Sequence, residues 1–379
     1  MNLALFFTFD MSIEQWRRQG LFDREKLLYE ELLRRGSLSK VFWITYGSGD
    51  WSIADELRRS GRLNSDIEVL PMPAFFNFPS GKYIYSLLMP VIYKKVLRQA
   101  DVFMTNQMSG SWAAVLAKKI SRKPLIVRTG YTWSRLKQSQ KTSVIKKWFI
   151  CAVERLAYRN ADLAVVTTPS QAEYVKSNYD ISECKIFVAA NYIDTDLFRP
   201  AQFAEKFSDK VLFVGRINEE KNLFNLTSAV AKAQLCLDIY GSGSVMGLSE
   251  HISKVGAKVL FKGVVENHRL PDIYNQYKYF VLPSYAESLP KSLLEAMACG
   301  LVCIGTNVTG INEVIIDGVN GYLAEDINSD SIFQAIQRAK EDSGNSLTDS
   351  AIETIRTGYS LEGVVKKYAE ILGRLCDVR

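Results

Sequence analysis

Two glutamates stand with seven residues between them in Tyr285-Ala-Glu-Ser-Leu-Pro-Lys-Ser-Leu-Leu-Glu-Ala-Met-Ala-Cys-Gly300. The apolar run Tyr279-Phe-Val-Leu-Pro283 ahead of them reads as a buried strand. Pro290 suits the first turn of a helix, Leu293, Leu294 and Met297 recur at helical spacing, and Gly300 supplies a stop. A helix start at a strand end presents backbone N–H groups and a positive dipole end, so the N–H groups near Ser292 and Leu293 suit phosphate. Carboxylates repel phosphate. Glu287 at the lip of such a site, and Glu295 about one turn deeper, instead suit groups that donate hydrogen bonds, such as sugar hydroxyls. Without further context the same pair reads as a loop carboxylate and a solvated helix residue.

Three more strand-then-glycine units accompany them. Val211-Leu-Phe-Val-Gly-Arg-Ile-Asn-Glu-Glu-Lys-Asn222 brings Gly215, Arg216 and Lys221. Glycine admits backbone close to a ligand, and two cations five residues apart can clamp a diphosphate; solvated charges are the plain alternative. Leu237-Asp-Ile-Tyr-Gly-Ser-Gly-Ser244 and Val259-Leu-Phe-Lys-Gly-Val-Val-Glu266 add Gly241 and Gly263. A dinucleotide fingerprint needs glycine where Met246 stands, which argues against a nicotinamide oxidoreductase. Asp194-Thr-Asp196 has the chemistry to hold a divalent ion. With two histidines and six cysteines lacking C-x-x-C spacing, a histidine-rich metal site is not expected and reduced thiols are.

Taken together, these segments resemble the family 4 (group 1) retaining glycosyltransferases. The Glu287-to-Glu295 stretch is similar to the E-x7-E region of that family, with Ser288 where the family commonly has glycine. Gly300-Leu-Val-Cys-Ile-Gly-Thr-Asn-Val-Thr-Gly-Ile-Asn-Glu-Val-Ile-Ile-Asp-Gly-Val-Asn-Gly-Tyr-Leu323 and Asn191-Tyr-Ile-Asp-Thr-Asp-Leu-Phe-Arg-Pro200 are similar to other family segments, the latter to its interdomain link. The likeness is strong over about residues 160 to 330 and thinner before that.

The resemblance implies a GT-B fold: α/β, two Rossmann-like doubly wound domains facing across a cleft. It implies a retaining hexosyl transfer from a nucleotide diphosphate sugar to a hydroxyl of a glycan or lipid-linked acceptor, in cell-surface polysaccharide biosynthesis. Alternatives are a GT-B epimerase or phosphorylase, or a metal-dependent GT-A-type transferase. Under the resemblance Glu287, Arg216 and Lys221 are catalytic. The donor meets Gly20, Gly215, Gly241, Gly263, Val264, Ser288, Leu289, Pro290, Ser292, Leu293 and Glu295, with Glu295 on the ribose. No cofactor or metal is expected beyond the nucleotide sugar as co-substrate. Many members carry a histidine after the strand equivalent to Leu125–Arg128; this chain has Arg128-Thr-Gly-Tyr131. Arg128 and Tyr131 therefore meet acceptor or phosphate, or Arg128 is structural. Gly20 precedes the segment that looks like the family's first helix, holding Arg24 and Glu25.

The elements that must position these residues are legible as alternation. Apolar runs at Leu3–Phe9, Lys40–Thr45, Leu125–Val127, Leu163–Val166, Lys185–Val188, Val211–Val214 and Phe280–Leu282 alternate with helical patterns, as βαβ units do. At 379 residues and 47% hydrophobic the chain can bury two cores. The expected domains are 1–200 for the acceptor, 201–360 for the donor, and a last helix, 361–379, returning to the first, with a break near Arg199-Pro-Ala-Gln202.

Charge is uneven. Residues 1 to 200 hold 29 Lys and Arg against 19 Asp and Glu, a balance of +10, while the remainder stands at −4. From Lys82 to Lys147 there are 14 basic residues and one acid, Asp101, interleaved with aromatic and aliphatic residues. Such a stretch suits an anionic membrane face, and equally suits helices whose apolar residues form a core. No motif for nucleic acid accompanies it. No apolar run reaches the roughly 18 residues of a membrane span, and the N-terminus reads as a strand. The expected location is cytoplasmic, peripheral on the inner face of the membrane.

Overall fold

The computed structural model describes residues 1–134, 143–201, 206–341 and 346–377, and each apolar run named above contributes a parallel strand. Arg135, Lys137 and Lys141 of the basic stretch and Gln202 of the expected break lie outside the described residues. Leu163–Val166 is buried at every position, as a continuous apolar run must be when helices cover both faces of a sheet.

The first sheet has seven strands: β1 (Asn2–Phe6), β2 (Lys40–Ile44), β3 (Ile67–Leu70), β4 (Val102–Thr105), β5 (Leu125–Arg128), β6 (Leu163–Val166) and β7 (Ile186–Val188). Their order is β3-β2-β1-β4-β5-β6-β7, with all pairings parallel. The second has six: β8 (Phe207–Val214), β9 (Cys236–Tyr240), β10 (Lys258–Gly263), β11 (Tyr277–Leu282), β12 (Val302–Thr306) and β13 (Tyr322–Ala324), in the order β10-β9-β8-β11-β12-β13. Both orders run outward one way from their first strand and then the other. That reversal opens a crevice at the carboxyl ends of the two central strands, the usual ligand position in such sheets.

The chain forms two compact units, one of Met1–Ala189 with the residues from Val365 onward, the other Ala190–Val364. Residues 190–200, which the sequence reading attached to the first domain, group with the second. The Ile193 N–H donates to the Tyr359 carbonyl, the Leu361 N–H donates to the Ile193 carbonyl, and Phe198 packs edge-on against Tyr274. In the Leu361–Asp377 helix the part in the first unit buries Tyr368, and the Arg374 guanidinium lies 4.8 Å from the Phe187 ring centre. The first strand is shorter than expected. Beyond Phe6 the chain turns, with Met11 N–H on the Thr8 carbonyl and Asp10 at φ 67°. Among the described residues no helix is long and apolar enough to cross a membrane.

Candidate active site

The crevice of the second sheet lies between β8 and β11, and the sequence-nominated charges follow those two strands. After β8 the chain runs through Gly215 and Arg216 to the short turn Glu219–Lys221. After β11 it runs through Ser284 and Glu287 to the helix Lys291–Ala298, with Pro290 at its N-cap. Lys221 Nζ hydrogen-bonds Glu287 Oε1, joining the two loops, and both side chains are largely buried. The Ser284 hydroxyl donates to the same carboxylate oxygen at 2.6 Å. Two groups expected to grip different parts of a ligand are thus each other's partner.

Four hydrogen bonds fix the loop that carries Glu287. Tyr285 N–H donates to the Glu220 carbonyl at 2.9 Å, and Thr306 Oγ1 to the Ser284 carbonyl at 2.6 Å. Asn191 Nδ2 donates to the Leu289 carbonyl at 2.8 Å, and Asn222 Nδ2 to the Pro283 carbonyl at 3.0 Å. Asn222 also donates to the Ile327 carbonyl at 2.7 Å. It is buried and left-handed at φ 52°, a conformation asparagine tolerates better than most residues. None of these supports was picked out from the sequence. Their work is to satisfy carbonyls far away in the chain, and the one local signal is an asparagine directly after Lys221.

Two glycines are required by close approach. A Cβ on Gly241, at φ 152°, would stand 1.8 Å from the Gly215 carbonyl oxygen; one on Gly310 would stand 2.3 Å from that of Ser288. Backbone thus packs on backbone beside Gly215 and behind Glu287. Gly241 N–H donates to the Gly263 carbonyl, so Gly215, Gly241 and Gly263 line up at the ends of β8, β9 and β10, with Val264 exposed next to them. Arg216 is exposed and has no ion pair or hydrogen bond among the described residues.

The residues around the Lys291–Ala298 helix and the Asp194 turn stand as follows. The Leu293 N–H does not face outward: it donates to the Pro290 carbonyl at 3.1 Å, and the Leu293 side chain is in the core. Glu295 is 2% exposed and accepts the Tyr274 hydroxyl at 3.0 Å. Burial, then the Glu295 charge, holds the Tyr274 hydroxyl protonated far above its usual range. Burial likewise pushes the Cys299 thiol up to about 12, so it is inert as a nucleophile at neutral pH. Asp194 Oδ1 accepts the N–H groups of Asp196 and Leu197, a local turn.

In the first unit, Gly20 closes the Ile13–Arg18 helix, its N–H on the Arg17 carbonyl, and stands just ahead of the Phe22–Arg34 helix. Arg128 is buried at the end of β5, donates to the Asn106 carbonyl and side chain, and hydrogen-bonds the buried Tyr368. These contacts fit the structural alternative for Arg128. Tyr131 is half-buried and brackets the Thr129 hydroxyl with its own N–H and carbonyl.

The sheets define the class: two Rossmann-type α/β domains of the GT-B architecture. HepE of Anabaena, solved in complex with UDP, superposes with a TM-score of 0.76 at 17% identity, covering 99% of this chain and 100% of that one. Residues 194–357 match the family described as glycosyl transferases group 1, and residues 27–197 match glycosyltransferase family 4. The chain belongs to the group 1, family 4 glycosyltransferases. An uncharacterized glycosyltransferase of Methanocaldococcus jannaschii is 23% identical over 329 residues, 81% of each chain. The UDP-Gal:alpha-D-GlcNAc-diphosphoundecaprenol alpha-1,3-galactosyltransferase of Escherichia coli is 23% identical over 308 residues, 74% of this chain and 77% of that protein.

Proposed function

We propose that the chain transfers a hexose-type sugar, with retention, from a nucleotide diphosphate sugar to a hydroxyl of a glycan or lipid-linked acceptor in cell-surface polysaccharide biosynthesis. One observation carries the reading: the Lys221–Glu287 pair at the crevice of the second sheet, beside the exposed Arg216. A diphosphate entering there competes with Glu287 for Lys221. Once released, Glu287 is free to take a sugar hydroxyl, kept in place by Ser284. The UDP bound by HepE and the UDP-galactose and lipid-linked acceptor in the name of the Escherichia coli relative support donor and acceptor of this kind.

In the step proposed, the bond from the anomeric carbon to the leaving phosphate breaks as the acceptor oxygen attacks from the same face. The acceptor's proton passes to the departing phosphate oxygen. The diphosphate leaves with the bonding electrons, and Arg216 and Lys221 stabilise the charge that develops on it. Gly215, Gly241, Gly263 and Val264 border the nucleotide, and the backbone at Ser288, Leu289 and Pro290, with the Ser292 amide, borders sugar and phosphate. Glu295 is assigned to the ribose on family resemblance alone.

Testing begins with thermal stabilisation by a panel of UDP-, GDP- and ADP-sugars, followed by transfer assays with the donor that stabilises. Lys221→Ala should lower transfer by about 10²–10³, as loss of one transition-state donor typically does, and Glu287→Ala should lose transfer with the contact to the sugar hydroxyl, both with circular dichroism unchanged. Near-normal turnover in both would overturn the roles.

A further inference from the structure

The helix Gly81–Ile92 in the first unit is apolar on both its faces. Tyr85 and Met89 point into the core, while Tyr83, Ile84, Leu87, Leu88, Val91 and Ile92 form a second stripe at helical spacing that is exposed, Leu87 by 55% and Val91 by 58%. A surface helix ordinarily turns a polar face to water. The helix Val144–Asn160 opens the same way: Val144 is 82% exposed, Ile145 81% and Trp148 71%. Both helices pack on the Ser111–Ser121 helix, which makes them neighbours in one layer of helices.

Cations frame that layer. Lys94, Lys95 and Arg98 are exposed just past the first helix, and Lys146, Lys147 and Arg155 are exposed along the last. Across the helices Gly81–Ile92, Lys94–Leu97, Ser111–Ser121 and Val144–Asn160 the single acidic residue is Glu154. It is fully buried, accepting from the Ser134 N–H and the Tyr179 hydroxyl, so it does not offset the outer charge.

We infer that this face lies on an anionic bilayer, with Val144, Ile145, Trp148 and the Leu87–Val91 stripe in the headgroup boundary and the lysines on the lipid phosphates. Apolar surface combined with exposed cations is the pattern of segments that lie in a membrane interface. A second copy docked face to face would set these cations against their own kind. A nucleic acid would match the charge and leave the aliphatic stripe in water. The inference deepens the proposed function, on which it rests for its purpose, because it brings the enzyme to a lipid-linked acceptor.

The test is co-sedimentation of the full chain with phosphatidylcholine vesicles, with and without about one third phosphatidylglycerol. The expected result is recovery with the anionic vesicles only. Lys146→Glu with Lys147→Glu should weaken that binding by at least about fivefold per residue. The triple variant Val144→Ser, Ile145→Ser, Trp148→Ser should weaken it more than tenfold, and these exposed positions leave the core intact. Equal recovery with both vesicle types, unchanged binding of the triple variant, or a dimer in solution that Leu87→Gln with Val91→Gln dissolves would each overturn the inference. Stabilisation by the nucleotide sugar, measured on the same variants without vesicles, should be unaltered. Its absence in the unsubstituted chain would count against the proposed function and not against this surface.

Discussion

Lys221 and Glu287 neutralise one another before any ligand arrives, and that separates their expected phenotypes. Removing Glu287 releases Lys221 for a diphosphate, so Glu287→Ala should bind nucleoside diphosphate as tightly as the unsubstituted chain or more so, while losing transfer. Lys221→Ala should lose affinity as well, by tenfold or more. Titration calorimetry checks both, and weaker binding in Glu287→Ala would contradict the exchange of partners. Asn222 is argued from the same loops. Asn222→Ala abandons two carbonyls and keeps a left-handed backbone, costing about 1–3 kcal/mol for the lost hydrogen bonds and about 1 kcal/mol for the conformation. Asn222→Gly should recover the conformational part in urea unfolding.

Among the elements, the carboxyl end of β5 meets the last helix through Arg128 and Tyr368. Burial raises the Tyr368 hydroxyl above its usual range, and the Arg128 guanidinium beside it draws it partly back, so the hydroxyl stays protonated. Tyr368→Phe should therefore cost about 1.5–3 kcal/mol, the range for a hydrogen bond to a charged group, with no change in acceptor KM; a KM effect without a stability effect would restore a ligand role to Arg128. This contact also marks where the sequence stopped being legible. Strands such as Leu163–Val166 are readable because a fully buried parallel strand has to be apolar throughout. Lys221 and Glu287 were nominated because their segments resemble family segments, and the sequence assigned them to different parts of a ligand and not to each other. Arg128 looks the same in sequence whether it faces a ligand or the Asn106 carbonyl, and its contact with Tyr368 depends on a helix that returns more than 200 residues later. Asn191, Asn222, Thr306 and Gly310 were missed on like grounds: each answers a backbone group distant in sequence.

At the scale of the whole chain, the second unit is one continuous segment and the first is not. Residues 190–364 begin and end together, because Ile193 exchanges backbone hydrogen bonds with Tyr359 and Leu361. A segment with its own core and adjoining ends has what an independent domain requires. The first unit needs the end of the chain: Val365, Tyr368, Ile371, Leu372 and Leu375 are all buried there. At about 1.5–3 kcal/mol for each large side chain, their loss is comparable with the roughly 5–15 kcal/mol that stabilises an entire domain. The fragment 190–364 should fold by itself, unfold in one transition, and be stabilised by about 2.7 kcal/mol at a hundred times the dissociation constant of the nucleoside diphosphate that stabilises the full chain. A chain ending at residue 364 should keep that ligand-sensitive transition and lose the other one. Calorimetry on the three proteins checks this: an unfolded 190–364 fragment, or a truncated chain with both transitions intact, would show that the units do not divide the stability as their cores divide the sequence.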